Sequence, residues 1–199
     1  MLNKEKVRNV VHTAGDPVLK AVARPVTAVT PEIIALAERM LMAMRAFDGI
    51  GLAAPQAGES LRMVVLDIPM DSMSDNPTPG ELQLLPRMPL TVINPEILSV
   101  SGEETEYTEG CLSVPDIFAP VIRPERVLFR ASTLNGEVIE CECGGLLGRC
   151  IQHELDHLDG TLFIDRLTPA AALKIEKPLR QLLRYGEKHK YLRVKVNNR

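Results

Sequence analysis

His153-Glu154-Leu155-Asp156-His157 decides the reading of this chain. The pattern H-E-x-x-H, laid on a helix, projects two imidazoles four residues apart from one face. At that spacing they can grip one divalent ion, and the glutamate between them can take the proton of a water that the ion acidifies. Five residues alone recur by chance on ordinary surface helices, so the neighbours must decide. With His153 as the origin, His157, Leu146 and Cys150 fall within about 60° on one side and Arg149 about 40° on the other. Leu147, Ile151, Leu155 and Leu158 gather between about 120° and 200°, an ordinary core stripe. Glu154 lies between the two faces, and Gln152, Asp156 and Asp159 are left to face water. Gly144-Gly145 and Gly160 mark the helix limits. The pattern predicts a helix buried on two sides, its histidines facing an interior cleft.

Two histidines do not complete a tetrahedral site. A third histidine in the H-E-x-x-H-x-x-G-x-x-H pattern fails here: Gly160 fits, but the last position is Phe163. A downstream glutamate would be Glu176, in a basic segment interrupted by Pro178. The other source is a thiolate from elsewhere, and Glu109-Gly110-Cys111-Leu112-Ser113 offers one.

Three stretches together resemble the signature motifs of the peptide deformylase family: Gly49-Ile50-Gly51-Leu52-Ala53-Ala54-Pro55-Gln56, Glu109-Gly110-Cys111-Leu112-Ser113 and Gln152-His153-Glu154-Leu155-Asp156-His157-Leu158-Asp159-Gly160. Gly15-Asp16-Pro17-Val18-Leu19 and Asn94-Pro95 are also similar to the family, and the likeness runs from about residue 12 to about 168. The resemblance implies a metal held by Cys111, His153 and His157, with Glu154 handling protons. It implies oxyanion donors at the Gln56 side-chain amide and the Leu112 backbone N–H. The substrate it implies is N-formylmethionine at the start of new polypeptides, hydrolysed to formate and a free amino terminus. Cys and His suit Zn²⁺ and Fe²⁺ alike; the resemblance implies Fe²⁺, with Ni²⁺ or Co²⁺ as active substitutes and Zn²⁺ as a poor one. Ile50, Gly51, Gly110, Leu146, Arg149 and Cys150 are expected to meet substrate. Small residues at 49, 51 and 110 admit a close-lying chain. Arg149 departs from the aliphatic residue of many members, and its guanidinium is expected at the cleft mouth, favouring acidic peptides.

Composition bounds the rest. Hydrophobic content of 45% over 199 residues suits one soluble catalytic domain with a substantial core, taken as 1–199. No apolar run approaches the ~20 residues that span a bilayer, and the start reads as neither signal nor transit peptide, so a cytoplasmic protein without membrane or DNA partners is expected. The four cysteines are expected to be reduced, with Cys141 and Cys143 as core thiols beside Ile139. The net charge of −3 conceals an asymmetry: residues 173–199 carry nine Lys/Arg against two Asp/Glu. That local +7 suits either a solvated terminal helix and tail or electrostatic docking onto RNA, and the family resemblance implies the second, as a transient visit to the ribosome.

The expected order begins with a helix over Pro31–Phe47, N-capped at Thr30. Strands are expected at Leu61–Ile68, Thr91–Leu98, Arg126–Thr133 and Glu137–Cys143, with Asn135-Gly136 as a hairpin turn. Residues 69–89 hold five prolines and read as an insertion loop. A basic C-terminal helix and tail over 169–199 follow the metal helix, with a kink at Pro178. The class is α+β: mainly antiparallel strands packed around a central metal-binding helix.

Overall fold

The computed structural model of the chain describes residues 10–189 and the backbone of 191–193. The class is α+β, as the element order implies. Strand β1 (Val10–His12) leads to helix α1 (Pro31–Ala46), which opens at Pro31 after Thr30. Then come β2 (Gly51–Ala53), β3 (Met63–Leu66), α2 (Pro79–Leu84) and β4 (Leu90–Val100). A hairpin of β5 (Glu104–Cys111) and β6 (Val114–Pro124) follows, then a second of β7 (Val127–Thr133) and β8 (Val138–Cys143). Helix α3 (Gly145–Leu158) carries the histidine motif, and α4 (Pro169–His189) runs on to β9 (Tyr191–Arg193). Pro178 lies inside α4, which continues past it.

Five strands form one antiparallel sheet in the order β2-β3-β4-β7-β8. Alternation along β3 and β4 divides the core. Val64, Leu66 and Val92 pack with Phe129 and Ile139 under Leu147, Ile151, Leu155 and Leu158 of α3. Met63, Val65 and Ile93 turn to the other face and meet Leu36, Met40 and Met44 of α1. On β8 the burial alternates strictly, placing Ile139, Cys141 and Cys143 inside as free thiols and a core aliphatic.

Two expectations are corrected here. Residues 69–89 are not a featureless loop. Thr78 and Glu81 form a reciprocal cap that starts α2, and Leu84 and Leu85 enter the core. The segment reaches the metal helix too, since Thr78 Oγ1 accepts from the Gly144 N–H, 3.1 Å away, at the N-cap of α3. Helix α3 is also more enclosed than its pattern implies. Gln152 and Asp156, assigned to water, are buried; only Asp159 stays outside, paired with Arg62. Gln152 donates to the Pro124 carbonyl, and Asp156 is held by Arg123 and Arg166. Buried polar groups are stable when so paired, and spacing along one helix carries no sign of partners from distant strands.

Candidate metal centre and cleft

Two elements bring the motif residues together. Helix α3 projects His153 and His157 one turn apart. Hairpin β5–β6 ends its first strand at Cys111, where the pairing shifts by three residues, from Glu109 opposite Ala119 to Cys111 opposite Val114. That irregularity re-aims the thiol towards the helix. The donor atoms of Cys111, His153 and His157 all lie within 4.8 Å of one another. Among the described residues no other group of three His, Cys, Asp or Glu side chains meets so closely. Cys111 Sγ stands 3.2 Å from His157 Nε2. His153 directs Nδ1 to Glu109 Oε2 at 2.9 Å, which leaves Nε2 for an ion. One soft thiol and two imidazoles form a donor set suited to a divalent transition metal. Glu176, the other sequence candidate, lies exposed on α4 and pairs with Arg180.

The surroundings tune these groups. Burial alone would lower the basicity of His153, but its bonds to Cys111 and Glu109 prevail and raise it well above the usual imidazole value. Burial and the positive charges of His153 and Arg123 push His157 well below that value, so it stays neutral. Glu109 is buried, which opposes ionisation. Hydrogen bonds from His153 and Arg123 outweigh that and hold it at about 2. At Glu154 burial prevails instead: it raises the carboxyl to about 7 against the opposing charge of His153 and a hydrogen bond from the Ala53 backbone, and the Oε2 atom is buried without a hydrogen bond. A carboxyl poised near neutrality beside a metal-ligating triad is suited to carrying protons.

The cleft over this centre has a volume of about 500 Å³. One wall holds Gly49, Ile50, Gly51 and Gln56; the facing wall holds Tyr107, Gly110, Cys111 and Leu112; Leu146, Cys150, His153 and Glu154 form the floor. Gln56 has two attachments. Its Oε1 accepts from the Ala53 N–H at 2.8 Å, closing the turn, while Nε2 approaches Ser113 Oγ at 3.2 Å and Cys111 Sγ at 3.5 Å. A methyl group at Gly51 would stand 2.5 Å from Glu154 Oε1, and one at Gly110 would meet the Phe118 ring at the same distance. At Gly51 the neighbours are buried, so a side chain there must displace Glu154 or Cys150, whereas at Gly110 the exposed Phe118 ring can turn aside.

Arg149 overturns its expectation. Its stem borders the cleft, but its guanidinium is buried and donates to Glu109 Oε1, the Val121 carbonyl and both oxygens of Thr105. Those buried acceptors outcompete the cleft mouth. The charges left at the mouth are Asp48 and Asp116, both exposed carboxylates.

Several working residues escaped sequence reasoning. Glu109 and Asp156 lie inside quoted motifs, yet nothing in the motifs marks them as struts. Arg123 did leave a signal: Ile117, Ala119, Val121 and Arg123 share the inward face of β6, and a charge at the end of such a face requires a buried partner. It has two, Glu109 and Asp156, each at 2.7 Å.

Comparison with known proteins agrees with this geometry. Residues 8–172 match the family model for polypeptide deformylase. The chain is 45% identical to peptide deformylase 2 of Gloeobacter violaceus over 163 residues, 82% of this chain and 81% of that one. It is similar to the crystal structure of peptide deformylase from Ehrlichia chaffeensis, with a TM-score of 0.75, 35% identity and coverage of 86% and 94%. It is also similar to the peptide deformylase of Synechococcus elongatus in complex with actinonin, with a TM-score of 0.72, 37% identity and coverage of 86% and 84%. The fold, the motifs and these relatives agree: the chain belongs to the polypeptide deformylase family.

Proposed function

We infer that this protein is a metal-dependent hydrolase that removes the formyl group from the N-terminal formylmethionine of newly made polypeptides, releasing formate. The observation that carries the reading is the Cys111–His153–His157 donor set, with Cys111 and His153 lining the cleft and His157 buried, beside a Glu154 carboxyl whose Oε2 has no hydrogen-bond partner. Cys111, His153 and His157 would hold the ion, and Fe²⁺ is the ion we propose, with Ni²⁺ or Co²⁺ as working substitutes. When bound, a divalent ion there supplies Lewis-acid chemistry, making water nucleophilic near neutral pH and polarising the formyl carbonyl.

The chain's own residues account for the rest. Glu154, poised near 7, takes the proton of the attacking water and returns it to the departing amine. The Gln56 side-chain amide and the Leu112 backbone N–H receive the carbonyl oxygen as negative charge builds on it. Gln56 is held for this task by the Ala53 N–H on its own oxygen. Leu146 and Cys150 shape an apolar floor for the unbranched methionine side chain, while Ile50, Gly51 and Gly110 admit the peptide backbone. Formyl is the smallest acyl group, so close packing around the metal site would favour it over larger amides.

A coupled assay for formate on formyl-Met-Ala-Ser, with acetyl-Met-Ala-Ser and an internal-bond peptide beside it, tests the reading. Formate release from the first alone is expected. Cleavage of the internal bond would instead make this an endopeptidase.

We further propose that residues 1–199 act as one catalytic domain in the cytoplasm and that the basic C-terminal segment docks transiently on ribosomal RNA. Lys174, Lys177, Arg180, Arg184 and Lys188 are all exposed on α4; much of the remaining positive charge lies outside the described residues. Because β9 pairs with β1, deleting the tail would disturb more than charge. Charge reversal at Lys174, Lys177 and Arg184 is the cleaner probe, and salt-dependent loss of ribosome pelleting is the expected result.

A further inference from the structure

We propose that Arg149 is a positioning residue: a brace between the two elements carrying the ligand side chains, which sets how tightly the site holds its ion. The proposal rests on the reading of Cys111, His153 and His157 as ligands. The two histidines belong to α3 and the cysteine to the β5–β6 hairpin, so the spacing of the donor set is the spacing of those two elements. Contacts between them other than the metal must hold that spacing.

Arg149 sits one turn before His153, and every acceptor it reaches is on the hairpin. Its Nη1 donates to Glu109 Oε1 and to the Val121 carbonyl, each at 3.2 Å. Its Nη2 donates to the Thr105 carbonyl at 2.8 Å and to Thr105 Oγ1 at 2.9 Å. The guanidinium thus ties α3 to β5 at two points and to β6 at a third. Only 9% of the side chain is exposed, and the Tyr107 ring lies 6.0 Å from its Cζ atom. The carboxylate it grips is the one that orients His153, through Oε2 at 2.9 Å.

A second brace exists on the other side of His153. Arg123 of β6 holds Glu109 within the hairpin and reaches Asp156 of α3 at 2.7 Å. Arg149 and Asp156 therefore bracket His153 from positions four before and three after it. The planar guanidinium fork suits this geometry, satisfying several fixed acceptors at once; an ammonium would satisfy fewer. Residues that orient ligand side chains typically govern metal affinity by 10- to 100-fold.

The test uses the full chain, stripped of metal and titrated with Co²⁺ against a competing chelator, with the thiolate-to-cobalt absorption band as a second readout. Arg149→Leu is expected to raise the Co²⁺ Kd roughly 10- to 100-fold and to weaken or shift that band. Arg149→Lys is expected to fall between it and wild type. Leu36→Ala, a core truncation on α1, controls for stability loss alone and should keep the wild-type Kd. An Arg149→Leu protein with wild-type Kd and band, or with a loss no greater than that of Leu36→Ala, would overturn the brace. If Arg149→Leu does not fold, an unchanged Kd in Arg149→Lys overturns it equally. Failure of the wild-type chain to bind cobalt would instead overturn the ligand assignment.

Discussion

Replacing Gly51 with alanine tests the packing of the proton carrier against the sheet. Gly51 opens β2, pairs across from Leu66 and is buried. The added methyl would lie 2.5 Å from Glu154 Oε1 and 2.7 Å from Cys150 Sγ. Relaxed contacts need about 3.5 Å, so roughly 1 Å of displacement must be found. Helix α3 is clamped by its core stripe, and β2 is held by β3, so the Glu154 carboxylate must rotate. A misplacement of that size costs on the order of 10²-fold in rate, and the overpacking costs about 1–3 kcal/mol. Steady-state formate release and urea unfolding measure the two effects separately. In Gly51→Ala/Cys150→Ala the overlap with sulfur vanishes while that with Glu154 remains. Stability should partly return, with a coupling of about 0.5–3 kcal/mol, and the rate should not. Gly102→Ala, with nothing within 4 Å of the new methyl, serves as the neutral control. Wild-type turnover and an unchanged urea midpoint in Gly51→Ala would refute the packing of Glu154 against β2.

Three other outcomes are expected. Glu154→Gln should keep its metal, measured by elemental analysis, while losing about 10²–10⁴-fold in kcat; near-normal turnover in the loaded variant would remove its role. Glu109 is held at about 2, below the usual 4.5, so its ionisation stabilises the fold above pH ~4.5 and that gain disappears as pH falls towards 2. The metal-free protein should lose roughly 3 kcal/mol across this window, and Glu109→Gln should show a shallower slope in acid urea titrations. With Arg149 sequestered and Asp48 and Asp116 at the mouth, formyl-Met peptides followed by lysine should surpass their aspartate counterparts by at most about fivefold at low salt. Higher kcat/KM for the aspartate peptides would return Arg149 to the cleft mouth.

Much of the site could be read from the sequence because its chemistry lies in short local patterns. His153, Glu154 and His157 occupy one helix, and α1, β7, β8 and α3 fall close to their expected spans because each has a clean periodicity and a marked end. The β5–β6 hairpin was not expected. Glu104 to Thr108 is exposed on both faces and so does not alternate, and Pro115, Pro120 and Pro124 interrupt β6. Those prolines are tolerated because β6 pairs on one edge alone, within a two-stranded sheet. Arg149 was misjudged for a related reason. Helical angle places its stem correctly beside the cleft, but the direction of the guanidinium depends on Thr105 and Val121, which lie on a hairpin that periodicity could not reveal. The Glu81 cap that turns 69–89 into part of the core needed only its Thr-x-x-Glu spacing, obscured there by five surrounding prolines.

The most direct test of the central claim is a metal titration under anaerobic conditions. The chain is stripped by chelator, checked for retained fold by circular dichroism, and given Fe²⁺ in steps while formate release from formyl-Met-Ala-Ser is followed. Activity should be absent at the start, rise linearly and level off at one equivalent per chain, and Glu154→Gln should bind the same equivalent without turning over. Full activity in the stripped protein, or an intact formyl peptide at saturating Fe²⁺, Co²⁺ and Ni²⁺, would contradict it.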